Sequence, residues 1–175
     1  MKKQDTLENQ ANYAYLALGS NLGSKINNLE YAKYKLSKIG VKIIKSSSYY
    51  HTKSWPNINF PDFINSVLLI KTNLILKDLF NQIKFIEESL GRKKSPKNYP
   101  RICDIDIIDF NGECLNVHFK SQKIIVPHIN MHKRNFVLIP LYEINQNWLH
   151  PKFKKNIVKL VSKLPKNDLI SIKFG

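Results

Sequence analysis

Arginine is the scarcest charged residue in this chain: there are three arginines among 28 basic side chains, and the other 25 are lysines. The three are Arg92, Arg101 and Arg134. A planar guanidinium can bind a carboxylate or phosphate through two parallel hydrogen bonds, which an ammonium group cannot do. We therefore expect each arginine to serve a specific anion rather than general surface charge.

Cysteines and long apolar runs are also few. The two cysteines, Cys103 and Cys114, exclude a disulfide framework and a zinc knuckle, so we expect reduced thiols. The longest apolar runs, such as 67–70 and 136–139, fall far short of the roughly 20 residues that a membrane span needs. Residues 1–12 are polar and lack the apolar segment of a secretory signal. This pattern predicts a disordered extension over 1–12, no membrane partner and a cytoplasmic location.

The net charge is +15, but the lysines are spread along the whole chain. Such a distribution is typical of a solvated surface more than of a focused nucleic-acid footprint. We therefore expect no nucleic-acid partner. The length of 175 residues fits one domain, which we assign to residues 13–175, and we expect a monomer.

The apolar pattern predicts an alternation of strands and helices. Period-two segments and short apolar runs indicate strands, and apolar residues at helical spacing indicate helices that end near Gly40 and Gly91. The resulting order is strand 13–18, helix 25–39, strand 41–50, strand 63–72, helix 76–90 and strand 104–110. This order predicts an α+β fold with a ferredoxin-like βαββαβ core: an antiparallel sheet with helices on one face, followed by C-terminal additions.

Two carboxylates interrupt the last apolar strand of this core. Asp104 and Asp106 are two residues apart, so strand geometry directs both to one face. A charge on a largely buried strand needs a cation or a basic partner, and two such carboxylates suit magnesium bridging a polyphosphate. A structural salt bridge is the alternative. Asp109 has the opposite parity, which predicts a solvated strand end.

Two further groups carry potential chemistry. His128 and Arg134 could bind phosphate, although a surface histidine and a structural arginine are equally consistent with the pattern. Trp55, Phe63 and Phe136, with the amide of Asn65, could form a flat aromatic slot that hydrogen-bonds the edge of a planar heterocycle. Phe63 and Phe136 could instead belong to the core.

Taken together, these segments resemble the 6-hydroxymethyl-7,8-dihydropterin pyrophosphokinases over most of the chain. Their order and spacing make the resemblance specific. The matching segments are residues 18–23, Tyr50, Thr52, 61–65, Glu87, 91–92, 100–107, 126–128 and 134–141.

The resemblance implies transfer of the diphosphate of ATP to the hydroxymethyl group of 6-hydroxymethyl-7,8-dihydropterin, which gives AMP and the pterin diphosphate for folate biosynthesis. It implies two Mg²⁺ ions held by Asp104 and Asp106, with Arg101 as a further catalytic residue. The implied ATP-binding residues are Glu87, Arg92, Lys94, Arg101, Ile107, Lys123, His128 and Arg134. The implied pterin-binding residues are Thr52, Lys53, Trp55, Phe63, Asn65 and Phe136.

The chain departs from the family pattern in both loops expected to close over the substrates, 51–61 and 92–100. Lys53 and Trp55 replace a proline and a smaller apolar residue on the pterin side. Positions of nucleotide contacts also differ, at Lys94, Asn98, Lys123 and Ile125. The alternative function is a ferredoxin-like RNA-binding domain, which would fit the basic charge. However, a strand carrying Asp104 and Asp106 would repel phosphate unless a cation were bound.

Overall fold

The computed structural model describes residues 11–55, 57–92, 96, 98–119 and 122–175. Its strands are β1 (Asn12–Ser20), β2 (Lys42–Ser46), β3 (Tyr50–Thr52), β4 (Phe63–Thr72), β5 (Asp104–Phe110), β6 (Leu115–Phe119), β7 (Gln122–Val126) and β8 (Lys173–Phe174). Its α-helices are α1 (Lys25–Lys38), α2 (Leu76–Ser89), α3 (Asn135–Ile144), α4 (Ile157–Val161) and α5 (Lys166–Ser171), and a short 3-10 helix spans Met131–Lys133.

The predicted N-terminal extension lies almost entirely outside the described residues. Its last residue, Asn12, does not belong to an extension, because it begins β1 and its side-chain amide donates to Leu74 O at 3.0 Å. None of the described helices is both long and apolar enough to cross a membrane.

The main sheet is antiparallel, with the order β5-β1-β4-β3-β8, and β2 pairs with β4 beside β3. Pairing aligns Gly19 of β1 with Asp104 on one side and Asn65 on the other. The next row on the same face aligns Ala17 with Asp106 and Val67. The sheet therefore carries the two carboxylates and the amide side by side near one end.

Helices cover both faces of this sheet. Apolar residues of α1 and α2, including Leu36 and Leu79, pack against Leu16 and Ile105. On the opposite face α3 and α4 pack against the small residue Ala17 and its neighbours. The prediction of helices on one face is thus right for α1 and α2, but α3 covers the other face. This mostly apolar helix, with Pro140 inside it, belongs to the region predicted only as C-terminal additions.

The predicted strand 41–50 is divided into β2 and β3. The hydroxyl of Ser47 accepts from Val67 N at 2.9 Å, while Ser47 N donates to Val67 O at 2.9 Å. A side chain therefore replaces part of the regular ladder at this point. At the start of α1, Ser24 is the N-cap residue, and its side chain makes no capping hydrogen bond.

Asp109 is buried, and our prediction of a solvated strand end was wrong. A bulge in the pairing of β1 with β5 aligns Leu16 with Ile107 but Tyr15 with Asp109, so Ile108 is an extra residue. The bulge reverses the parity beyond Ile107. Trp148 Nε1 donates to Asp109 Oδ2 at 2.7 Å, and burial raises the pKa of this carboxyl, although the indole hydrogen bond lowers it in part.

Replacing Trp148 by Phe should lower the free energy of unfolding by about 1–3 kcal/mol, because a buried carboxylate loses its donor. The donor favours the ionised form of Asp109, whose pKa is already raised by burial. Without the donor the folded-state pKa rises further, so the loss should be greater at pH 8 than at pH 5. Urea unfolding at both pH values measures it, with Trp55→Phe as an exposed control. An equal loss at both pH values would contradict the role assigned to the hydrogen bond.

Candidate active site

The site is built around the two carboxylates of β5. Asp104 and Asp106 lie on the sheet face that α3 covers, and their side chains remain 26% and 32% exposed. The residues between and beyond them, Ile105 and Ile107, face the core under α1 and α2. Alternation along one strand therefore separates the charged site from the core.

Two arginines bind Asp104. Arg92 Nη1 donates to Oδ1 at 2.8 Å, and Arg101 Nη1 donates to Oδ2 at 3.0 Å. Burial raises the pKa of Asp104, but the charges of Arg101 and Arg92 outweigh burial and hold this pKa below its usual value. Asp104 is therefore ionised over the physiological pH range.

Glu87 extends the network from α2. Its carboxylate is fully buried, lies 2.5 Å from Arg92 Nη1 and 2.7 Å from Lys84 Nζ, and accepts from Ile105 N at 2.8 Å. Burial raises the pKa of Glu87, and the two cations offset part of this effect. Gly91, at φ +94°, turns the chain after α2 so that Arg92 can reach both carboxylates. A Cβ at Gly91 would also lie 3.1 Å from the Ile102 side chain.

Asp106 has its own basic partners. Arg134 Nη1 donates to Asp106 Oδ2 at 3.2 Å, and His128 Nε2 lies 3.8 Å from the same oxygen. His128 follows the cis peptide bond Val126–Pro127, and its main-chain N–H donates to Ile108 O. Burial lowers the pKa of His128, which favours a neutral imidazole. The arrangement therefore offers both a guanidinium and an imidazole to an anion beside Asp106.

An amide lies on the same sheet face. Asn65 is buried, and its Nδ2 donates to Thr52 Oγ1 at 2.9 Å. A Cβ at Gly19 would lie 3.1 Å from Asn65 Oδ1 and 3.4 Å from the ring of Phe63. Only glycine leaves this space open between the carboxylates and the amide.

The predicted aromatic residues differ in their surroundings. Phe63 and Phe136 are half-buried, and the Phe136 ring centroid lies 5.5 Å from the guanidinium carbon of Arg134. Trp55 is 77% exposed, and Lys53 is exposed in an ion pair with Asp62 at 3.0 Å. Neither Trp55 nor Lys53 has a described contact with the amide or the carboxylates.

Two other residues predicted to bind the nucleotide, Ile107 and Lys123, do not place their side chains beside the carboxylates. Ile107 is buried in the core under α1 and α2, which leaves its main chain as the available contact. Lys123 is exposed on β7, opposite His118 in the β6–β7 hairpin. Lys94 lies outside the described residues.

Sequence reasoning missed Asn21, which joins three segments near the site. Its Oδ1 accepts from Arg101 N at 2.7 Å, and its Nδ2 donates to Pro61 O at 3.2 Å and Ser54 Oγ at 3.3 Å. Asn21 lies in segment 18–23, which carries part of the family resemblance, but no local signal indicates its contacts. The partners are 33 to 80 positions away, so the sequence could not identify them.

An aromatic contact joins the two loops predicted to close over substrates. The ring centroids of Phe60 and Tyr99 are 5.4 Å apart, in a tilted arrangement. Together with Asn21, this contact links loop 51–61 to the segment that leads into β5.

The donor set of the two aspartates fits magnesium when a polyphosphate supplies further oxygens. Within the described part of the chain no cluster of three or more acidic, histidine or cysteine side chains could hold a metal ion by itself. Two hard carboxylates on one strand face, surrounded by three guanidinium groups, instead suit a metal that arrives with an anionic ligand.

The fold and this cluster define an antiparallel α+β protein with a part-exposed site of paired carboxylates and guanidinium groups. A family model for 7,8-dihydro-6-hydroxymethylpterin-pyrophosphokinase matches residues 15–146. The chain belongs to this pyrophosphokinase family, which confirms the resemblance found in the sequence.

Individual relatives agree with this assignment. The 2-amino-4-hydroxy-6-hydroxymethyldihydropteridine pyrophosphokinase of Aquifex aeolicus is 38% identical over 81% of this chain and 85% of its own length. The folic acid synthesis protein fol1 of Pneumocystis carinii is 32% identical over 97% of this chain, which spans only 22% of that protein.

A solved structure shares the fold. The Plasmodium falciparum HPPK-DHPS structure with pterin and p-hydroxybenzoate superposes with a TM-score of 0.76 at 17% identity. The match covers 95% of this chain and 45% of the Plasmodium chain. An antiparallel sheet with helices is therefore confirmed as the fold class.

Replacing Asn21 by Ala should lower the free energy of unfolding by about 1–3 kcal/mol, because buried polar groups on two loops lose their partners. Ser54→Ala leaves the bonds of Asn21 to Arg101 N and Pro61 O in place, so it should cost less. Chemical unfolding of both variants measures the difference. Equal costs would show that the bond to Arg101 N does not position this segment.

Proposed function

We propose that this chain transfers the β,γ-diphosphate of ATP to the hydroxymethyl group of 6-hydroxymethyl-7,8-dihydropterin. The hydroxymethyl oxygen attacks the β-phosphorus and forms a new O–P bond. The bond between that phosphorus and the α,β-bridging oxygen breaks, AMP departs, and the hydroxyl proton is lost. The observation that carries the proposal is the placement of Asp104 and Asp106, each bound to arginine, in neighbouring rows of the sheet face that also carries Asn65.

The basic side chains around the carboxylates would bind the triphosphate. Arg92, Arg101 and Arg134 each retain further N–H donors beyond those that bind the aspartates. Neutral His128 can donate one hydrogen bond without a net charge. Because the donors come from separate segments, they can contact different phosphates and align the chain of phosphorus atoms for in-line displacement.

Asp104 and Asp106 would hold two Mg²⁺ ions. Bound magnesium would neutralise negative charge on the phosphates and favour ionisation of the attacking hydroxyl. The low pKa of Asp104 and its part-exposed position keep an ionised ligand available. A turn of the arginines from the carboxylates towards the phosphates would leave the aspartate oxygens free to hold the metal.

The pterin would lie on the Asn65 side of the same sheet face. Thr52 fixes the Asn65 amide, which presents its other groups to the heterocycle edge. Phe63 and Phe136 would contact the two faces of the ring, and Gly19 leaves room for it beside Asn65. Lys53 and Trp55 are exposed and would reach the pterin only when their loop closes.

We also propose that the fold is a ferredoxin-like core with C-terminal additions. The order β5-β1-β4 with β2 and β3 beyond β4, and α1 and α2 on one face, supports a ferredoxin-like core with C-terminal additions. Family membership favours this enzyme over the RNA-binding alternative. We propose a monomer in the cytoplasm that acts on these two small substrates.

The activity is tested by incubating the purified chain with ATP, Mg²⁺ and 6-hydroxymethyl-7,8-dihydropterin. We expect AMP and the pterin diphosphate to form in equal amounts. ADP in place of AMP would indicate transfer of a single phosphoryl group and refute the proposed bond cleavage. No product from protein with native circular dichroism would refute the activity.

Replacing Asp106 by Asn should lower kcat by about 100-fold or more, because it removes a charge that would hold magnesium at the reacting phosphates. The enhancement of ATP binding by Mg²⁺, measured by calorimetry, should fall in parallel. Asp78→Asn, on the exposed first turn of α2, makes the same chemical change away from the site and should leave both unchanged. Retained magnesium dependence in the Asp106 variant would contradict the metal role.

Replacing Asn65 by Ala should raise KM for the pterin by about 10-fold or more, since a hydrogen-bonded edge is lost. The KM for ATP should change little. Thr52→Val preserves shape but removes the acceptor that orients the amide, so its effect on the pterin KM should be intermediate. Equal increases in both KM values would instead indicate a general structural defect.

A further inference from the structure

A second concave site lies apart from the carboxylates, between the 3-10 helix and the C-terminal helices. It has a volume of about 500 Å³. Its walls come from Lys133, the loop that contains Phe153 and Lys155, and the ends of α4 and α5. Among the described residues, none of those predicted for ATP, metal or pterin binding lines this hollow. We call it the C-terminal hollow.

The charge of the C-terminal hollow is mainly positive. Lys133, Lys155 and Lys163 line it, against the single carboxylate of Asp168. Within the part of the chain that the structure describes, none of these lysines forms an ion pair with a carboxylate. Three lysines around one concave surface raise the local concentration of anions.

The interior of the C-terminal hollow is aromatic and apolar. Phe153 is 38% exposed, and one side of its ring stacks on His150 with centroids 4.3 Å apart. Leu160 and Leu164 line the same hollow and are almost fully buried. This stacking fixes the orientation of the exposed part of the phenyl ring, and the leucines provide an apolar wall for a flat ligand.

We propose that the C-terminal hollow binds a small organic anion that has an aromatic body. The ring would pack on Phe153 and the leucines, while its carboxylate or phosphate would lie among the lysines. An inorganic anion would use only the lysines, and a neutral aromatic molecule would use only the apolar wall. Both should therefore bind more weakly than a molecule that combines the two features.

The test uses the full chain and three probes: benzoate, phenyl phosphate and the neutral isostere benzamide. NMR titration should give saturable shifts of the Leu160 and Leu164 methyl signals with at least one anionic probe. Benzamide should bind about 10-fold or more weakly, because it lacks the charge. No saturable shift up to about 10 mM of either anion would overturn the proposal. Equal affinity for benzamide would refute recognition of the anion.

Location is tested with the double variant Lys155→Gln/Lys163→Gln. Binding of the anionic probes should weaken by about 10-fold, because two of the three lysines lose their charge. Lys159→Gln, on the exposed side of α4 and outside the hollow, is the matched control and should bind as the original chain does. Shifts confined to residues around Asp104, or equal binding by the double variant, would overturn the assignment to this hollow.

Discussion

The pairing of carboxylates with guanidinium groups on β5 is the constraint on which the site depends. Asp104 and Asp106 belong to a strand that is otherwise buried, and their ionised form needs nearby positive charge. Arg92 arrives from the end of α2, and Arg134 from the start of α3. Those helices cover opposite faces of the sheet. The helix layer on each face is therefore tied to β5 through an arginine.

The same pairing explains why arginine is retained in a chain that otherwise uses lysine. At an effective dielectric constant near 20, two opposite charges 4 Å apart attract by about 4 kcal/mol, before desolvation is counted. Arg92 uses a single terminal nitrogen to contact both Glu87 and Asp104, so its other nitrogens can reach an additional anion. A lysine at this position would offer a point charge without that directional array of donors.

Local sequence pattern predicted the order of the strands and helices of the core and the common face of the two carboxylates. The features that it did not predict share a physical cause. Period-two spacing correctly placed Asp104 and Asp106 on one face. It failed at Asp109, because the bulge arises in the pairing with β1, which strand periodicity does not encode. The same limit applies to the Ser47 hydroxyl that divides the second predicted strand and to the bonds of Asn21. In each case the decisive partner is distant in sequence, so neither propensity nor spacing could reveal it.

Strand spacing sets the distance over which the proposed chemistry would act. Asp104 and Asn65 are separated by one intervening strand, hence by about 9–10 Å across the sheet. Gly19 occupies the strand between them and contributes no side chain. The separation of the carboxylates from the amide is therefore a property of the hydrogen-bonded sheet, which deforms little. The loops joined by Phe60 and Tyr99 do not set the distance between the carboxylates and the Asn65 amide. These loops therefore need only cover the surface between them.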